Sequence, residues 1–241
     1  MTVNVHKGFT FLNRRFVLRE LRDAVRHVGA DLVFLQEIHG SRRHAGPAAH
    51  APSVPHYEFL ADQIWPAFAY GRNAVYTNGD HGNALLSKYP IVRSENIDVS
   101  AATQEKRGLL HCALRVPGRA GIVHAICVHL GLRQSHRMRQ LQQLCDLIKL
   151  RVPDAEPLLV AGDFNDWRGK AHAVLRTCAG LGEVFVEAHG NAARTYPARY
   201  PLLPLDRIYV RSVREHRPLA MPARPWSELS DHAPIAAEIR L

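Results

Sequence analysis

Leu158-Leu159-Val160-Ala161-Gly162-Asp163-Phe164-Asn165 is the stretch on which the reading of this 241-residue chain turns. Its apolar start reads as a strand buried on both faces, ending in a glycine and then two oxygen-bearing side chains, Asp163 and Asn165. In a strand, positions i and i+2 point to the same side, so the two are expected to project together from the end of a sheet. A carboxylate and an amide held that way suit a phosphate, a hydrated hard cation or an attacking water. Alone, the stretch is equally an ordinary strand-to-turn junction, because Gly-Asp and Asn-Asp are common turn pairs. The flanking segments decide between the two.

Upstream, Leu109 to Val116 and Gly121 to Val128 read as a hairpin joined through Pro117-Gly118, with His129 at the end of the second strand. Met138, Leu141, Leu144, Cys145 and Ile148 then mark a helix that stops before Pro153. Further back, Asn73 to Thr77 and Ala84 to Ser87 read as strands around a polar turn from Asn78 to Asn83. Tyr57 to Ile64 is a short helix, and Gly40 to Pro55 a loop without periodicity. Leu32 to Leu35 is a buried strand closed by Gln36-Glu37, where an unpaired buried carboxylate would be costly, so Glu37 is a functional candidate. Val17, Leu21, Ala24, Val25 and Val28 lie at helical spacing with Gly29 as the stop. Thr2 to Val5 is a short first strand carrying Asn4. Downstream, Lys170 to Leu181 is helical, the Pro-rich segment Tyr196 to Pro204 leads into a strand from Leu205 to Val210, and Ser230-Asp231-His232 precedes a last alternating strand, Pro234 to Ile239. Strands and helices alternate first and strands dominate later, which defines an α/β sandwich in a single domain over residues 1–241.

Hydrophobic residues make up 46% of the chain, ordinary for a globular protein, and no apolar run approaches the roughly 18 residues needed to span a bilayer. Four widely spaced cysteines without a C-x-x-C pair point to reduced, buried thiols. With no secretory signal after Met1, a cytoplasmic monomer is the expectation. The formal net charge of +9 favours a polyanionic partner, nucleic acid or an anionic lipid surface.

Polar residues recur at strand ends: Asn4, Glu37, His129, Asp163, Asn165, Asp206, Asp231 and His232. Strand ends are where open α/β sheets present ligand sites. Glu37 with Asn4 or Asp231 offers hard oxygen ligands for Mg²⁺, and Asp206 with His232 is a natural carboxylate-oriented histidine for acid–base work. Together they suit phosphate-ester hydrolysis.

These segments resemble the endonuclease/exonuclease/phosphatase family, the DNase I-like superfamily. The matches are Asn4 in Val-Asn-Val-His-Lys-Gly, Glu37 in Leu-Gln-Glu-Ile, Gly82 to Ser87, His129 in Val-His-Leu, Gly162 to Asn165, Leu205-Asp206-Arg207-Ile208 and Ser230-Asp231-His232. They occur in the family's order across nearly the whole chain. The resemblance implies a four-layer α/β sandwich, two packed mixed sheets flanked by helices, with one Mg²⁺ or Mn²⁺ site at the sheet ends. It implies Glu37 as principal metal ligand with Asn4 and Asp231 near metal or phosphate, and Asp163 and Asn165 positioning water and phosphate. Asp206 would orient His232, and His129 would contact the phosphate or help protonate the leaving group. Asn83 would line the pocket. Arg107, in Lys106-Arg107-Gly108, is a phosphate-binding candidate, with an exposed arginine the plainer reading. His129, where apurinic endonucleases of the superfamily carry Tyr, sets the chain nearer the DNase, sphingomyelinase and phosphatase branches. The basic charge makes DNA or RNA the first substrate to try. A phospholipid or other small phosphoester is the rival, with peripheral membrane attraction, since a basic face also suits anionic headgroups and aromatics are only 7% of residues. A non-catalytic module would show loss of several of these residues, and none is lost.

Overall fold

The computed structural model describes residues 1–10, 15–42, 54–62, 64–77, 79–101 and 105–241. Its first half holds β1 (Thr2–Asn4), α1 (Leu18–Val28), β2 (Leu32–Arg42), α2 (His56–Ala61), β3 (Ala67–Tyr76), β4 (Gly79–Ser87), β5 (Ile91–Asp98) and β6 (Gly108–Arg115). The second half holds β7 (Ile122–His129), α3 (Gln134–Arg151), β8 (Leu158–Asp163), α4 (Lys170–Ala179), β9 (Gly182–Glu183), α5 (Val184–His189), β10 (Asp206–Arg211), β11 (Glu215–Leu219) and β12 (Ala236–Arg240).

β8 shows why the chain folds in layers. Leu158 and Val160 pack with Leu141, Leu144 and Ile148 of α3 and Leu175 of α4. Leu159 and Ala161 alternate to the other face, into a core shared with Phe34 and Leu85 of the opposite sheet. A third core joins α1 and α2 to the outer face of β1, β2 and β4 through Leu21, Val25, Leu35 and Leu60. The result is helices, sheet, sheet, helices: the expected four-layer sandwich. One sheet runs β1-β2-β4-β3 and the other β5-β6-β7-β8-β10-β9. Each contains one parallel pair, β1 with β2 and β7 with β8. The β11–β12 ribbon continues the first sheet through paired backbone hydrogen bonds between Thr2 and Ile235. Gly162 is obligatory: at φ 148° a Cβ would meet Val128 O at 2.0 Å.

Several elements differ from the sequence reading. β2 does not close at Gln36-Glu37 but runs to Arg42, slipping register between Leu35 and Ile38 and leaving Glu37 at φ 53°. This bulge lets the ladder continue while turning the carboxylate out of it. The supposed loop from Gly40 therefore begins as strand, and residues 43–53 lie outside the described ones. β4 starts at Gly79, so most of the expected polar turn is strand, and Asn78 is not described. β5, β11 and α5 were not expected.

The cysteines correct the reduced-thiol expectation. Cys112 and Cys127 are free and buried, but Cys145 and Cys178 form a disulfide between α3 and α4, 33 residues apart in sequence. Closing a loop of that length restrains the unfolded chain by about 3–4 kcal/mol. Reduction is expected to lower the thermal midpoint on the order of 10 °C, read by differential scanning fluorimetry with and without dithiothreitol. Among the described residues, no helix is long and apolar enough to cross a membrane.

Candidate active site

Strand register brings the site together. β7 and β8 pair His129 with Asp163, and β8 and β10 pair Asp163 with Asp206, so three functional side chains form one row across three adjacent strands. Asn4 closes the gap to the other sheet: its Nδ2 donates to Asp163 Oδ2 at 3.2 Å and lies 3.5 Å from Glu37 Oε1. The last segment docks on this junction, with Ser230 Oγ donating to Asn4 O at 2.7 Å and lying 3.3 Å from Asp231 Oδ1. His232 Nδ1 then meets Asp206 Oδ2 at 2.8 Å, leaving Nε2 3.9 Å from Asp163 Oδ2. Thr195 Oγ1 steadies the start of β10 by accepting from the amides of Leu205 and Asp206.

Asn165 reaches the site by a route other than strand alternation. β8 ends at Asp163, and Asn165 turns back at φ 51°. Its amide N donates to Asp163 Oδ1 at 2.9 Å and its Nδ2 to Leu130 O at 2.9 Å. The pairing was expected; its cause is a local side-chain-to-backbone turn.

The remaining candidates fall at the margin of the cluster. Asn83 is buried and spans the sheets, its Nδ2 donating to Gly108 O at 2.9 Å. That bond makes it a tie between layers; its Oδ1 is enclosed without a partner among the described residues. Arg107 is half-buried, not exposed: Nε donates to Leu130 O at 3.2 Å and Nη2 to Glu105 Oε1 at 3.2 Å. Glu37 stands at the cleft with Lys7 Nζ 3.9 Å from Oε2, and His6 Nδ1 lies 3.9 Å from Asp231 Oδ1. Two neighbours of the cluster escaped the sequence reading, Thr195, which holds the Asp206 amide, and His81, which acts on His129. Thr195 carries no local signal, whereas His81 sits beside Gly82-Asn83 and was hidden in a stretch read as turn.

Electrostatics separate the two central histidines. Burial would depress His232, but Asp206 and Asp163 outweigh it and lift its pKa to about 10, so it is a cation at neutral pH. Burial, reinforced by Arg107 and by His232, drives His129 well below the usual range, so it is neutral. Burial also pushes the Asp163 carboxyl upward, with His232 pulling the other way. Burial lowers His81 to about 4, with Lys7 acting in the same sense.

A hollow of about 550 Å³ opens beside Asp231, between Arg15, Arg199, Tyr200 and Glu228. Another, about 300 Å³ and mostly apolar, lies between the sheets towards the opposite strand ends; none of the site residues lines it.

Two mixed sheets presenting a carboxylate-held histidine and a cluster of oxygen ligands at their shared end define a phosphoester-hydrolase architecture. Residues 1–232 match the Endonuclease/Exonuclease/phosphatase family, and the chain belongs to it. It is 55% identical over 242 residues to the uncharacterised protein YbhP of Escherichia coli (strain K12), covering 100% of this chain and 95% of YbhP. Among solved structures it resembles the endonuclease/exonuclease/phosphatase from Beutenbergia cavernae (TM-score 0.79, 20% identity, 100% of this chain and 70% of that one). It also resembles D. rerio TDP2 complexed with single strand DNA product (TM-score 0.69, 21% identity, 99% of this chain and 96% of that one).

Proposed function

We propose that the protein is a divalent-metal-dependent phosphodiesterase with nucleic acid as its first substrate class. The observation that carries this is the His232–Asp206 pair aimed at Asp163, where Asn4 ties Glu37 into the same cluster. Asp163, raised by burial, takes a proton from the water that attacks phosphorus, and Asn165 helps hold that water. His232, protonated, balances the negative charge growing on the phosphate oxygens as the ester P–O bond breaks, and the leaving oxygen takes its proton from solvent water. A neutral His129 is a hydrogen-bond partner for the phosphate and a poor proton source, which favours the contact role over leaving-group protonation.

The donor set fits a hard cation. Asp163, Asp206 and His232 offer ligand atoms within 4.8 Å of one another. His232 Nδ1 is already engaged with Asp206, however, and its positive charge opposes a metal there. Glu37 and Asp231 serve better, since among the described residues their side-chain oxygens hold only long contacts of 3.3 to 3.9 Å, and Asn4 keeps the Glu37 carboxylate beside Asp163. Mg²⁺ or Mn²⁺ bound there would supply Lewis-acid polarisation of a phosphate oxygen. Glu37→Gln is expected to raise the metal concentration for half-maximal turnover at least about tenfold, measured by Mn²⁺ and Mg²⁺ titration.

The nucleic-acid preference is supported by the +9 charge and by the rim, where Arg15, Arg199 and exposed Tyr200 flank the hollow beside Asp231. Trp167, beyond Asn165, is partly exposed and carries Arg137 on its ring at 4.9 Å. The lipid reading has an observation of its own: Leu132 and Leu202, on loops at the same end, are 61% and 64% exposed. For compartment we set the Cys145–Cys178 bridge above the cytoplasmic expectation, because disulfides persist in oxidising surroundings.

The test is incubation with supercoiled plasmid and, in parallel, anionic phospholipid vesicles, each with Mg²⁺ or EDTA and with Asp163→Ala as control. Nicking that needs metal and Asp163 supports the nuclease reading. Intact plasmid with cleaved lipid replaces it by the phospholipase reading, and no turnover of either removes both.

A further inference from the structure

β4 carries a side chain the proposed mechanism does not use. His81 lies two residues before Asn83, on the face Asn83 turns towards the second sheet, and therefore nearer the mouth of the cleft. It is only 8% exposed, yet its Nδ1 has no hydrogen-bond partner among the described residues. Buried polar groups are nearly always paired; Nδ1 is enclosed, so a partner from outside the chain reaches the ring through Nε2, which is not enclosed and makes no hydrogen bond among the described residues. Its ring is fixed by stacking on Tyr76, 5.3 Å between centroids with 16° between planes, and Tyr76 is 59% exposed. The charged groups acting on it are Lys7, Glu37 and Arg107, with His39 beside it from the paired strand. Lys7 and Arg107 bring N–H donors to this corner, Lys7 facing Glu37 at 3.9 Å and Arg107 bonded to Glu105, and donors of that kind suit the oxygen of an anion. Arg107 spends part of its guanidinium on Leu130, Lys106 and Glu105 and, among the described residues, retains unbonded N–H groups for a ligand.

We propose that His81 is a substrate-contacting residue that sets chain-length preference. With Lys7 and Arg107 it takes a non-bridging oxygen of the phosphate next to the scissile one, on the Glu37 side of the cleft. This rests on the phosphodiester reading of the site. Tyr76 holds the imidazole in place, and its exposed ring is available to the adjoining base.

The test compares wild type, His81→Phe and His81→Gln. Phe preserves the burial and the stacking on Tyr76 but removes both nitrogens; Gln restores a donor. Steady-state kinetics on a dinucleoside monophosphate and a tetranucleotide, at one Mg²⁺ concentration, give KM and kcat separately. The expected result is a tetranucleotide KM raised on the order of tenfold in His81→Phe, with a smaller change in kcat and partial recovery in His81→Gln. The wild-type preference for the longer substrate should shrink by the same factor. An unchanged KM and preference in His81→Phe would overturn the inference, as would a loss confined to kcat and thermal midpoint, the mark of a packing role. A second arm follows the imidazole ¹H–¹⁵N signals of the wild type as inorganic phosphate is added, His81 being assigned by its absence in His81→Phe. Saturable movement of the His81 signals without any oligonucleotide turnover keeps the anion subsite and removes the nuclease reading. Turnover with those signals unmoved removes the subsite alone.

Discussion

Replacing His232 with alanine is expected to lower kcat on a phosphodiester by about 10³-fold, since losing one preorganised group that meets developing charge costs about 10² to 10³ and this one carries a full positive charge facing Asp163. The loss should fall mainly on kcat, because charge builds on the phosphate only as the reaction proceeds. The same substitution has a stability signature. Asp206 Oδ1 already lacks a partner among the described residues, and without His232 its Oδ2 loses one too, leaving a fully buried carboxylate unpaired there. Breaking a buried pair by removing one member costs about 3–5 kcal/mol. The sign with pH follows from the direction of the shift. His232 is raised from 6.5 to about 10 on folding, so its contribution is complete below about pH 6.5 and is lost as pH climbs towards 10. In EDTA, urea unfolding of wild type and His232→Ala should differ most near neutral pH and below, and converge at alkaline pH. A constant gap across that range would contradict the assignment of His232 as a buried cation.

Asp163→Asn is expected to reduce turnover by about 10²- to 10⁴-fold despite being nearly isosteric. Asp163 is the hub of the cluster: Oδ1 accepts from the Asn165 amide, and Oδ2 accepts from Asn4 Nδ2 and lies 3.5 Å from His129 Nε2. An amide there keeps one oxygen but turns a donor towards other donors, leaving buried N–H groups unsatisfied at about 1–3 kcal/mol. It also removes one of the three carboxylates that lift His232, so the His232 pKa should fall, visible in a histidine ¹⁵N titration. Full turnover in this variant, or an unmoved His232 titration, would remove Asp163 from the centre of the site.

Much of this was legible in the residues. The apolar run of β8, its glycine and the polar residues at successive strand ends located the row His129, Asp163 and Asp206, because strand ends on adjacent strands must lie side by side. α1 was equally clear, with its apolar stripe and a left-handed Gly29 at its end. What escaped notice depended on tertiary partners. β5 and β11 are edge strands written in Arg, Ser, Glu and His, solvated and without an apolar pattern, so they read as loop. The strand character of Asp80 to Asn83 is paid for by contacts from β3 and the second sheet, such as Asn83 to Gly108 O, that no local window contains. Glu37 was singled out on the cost of burying a carboxylate, yet its side chain is 22% exposed, because a bulge that the sequence does not show turns it out of the ladder. The Cys145–Cys178 pair follows from how α3 packs on α4, and spacing alone does not show it.

The bond from Ser230 Oγ to Asn4 O joins residues 226 positions apart, and Asn4 in turn reaches Asp163 in the middle of the chain. Translation delivers the chain from its amino end, so Asn4, Glu37 and Asp163 leave the ribosome well before Asp231 and His232. Until the segment carrying them has been made, a nascent molecule has no His232 to set against Asp206 and no Ser230 to lock Asn4. The cluster is therefore assembled from both ends of the described chain inward, and it is complete only when the segment from Ser230 to His232 has docked on Asn4 and Asp206.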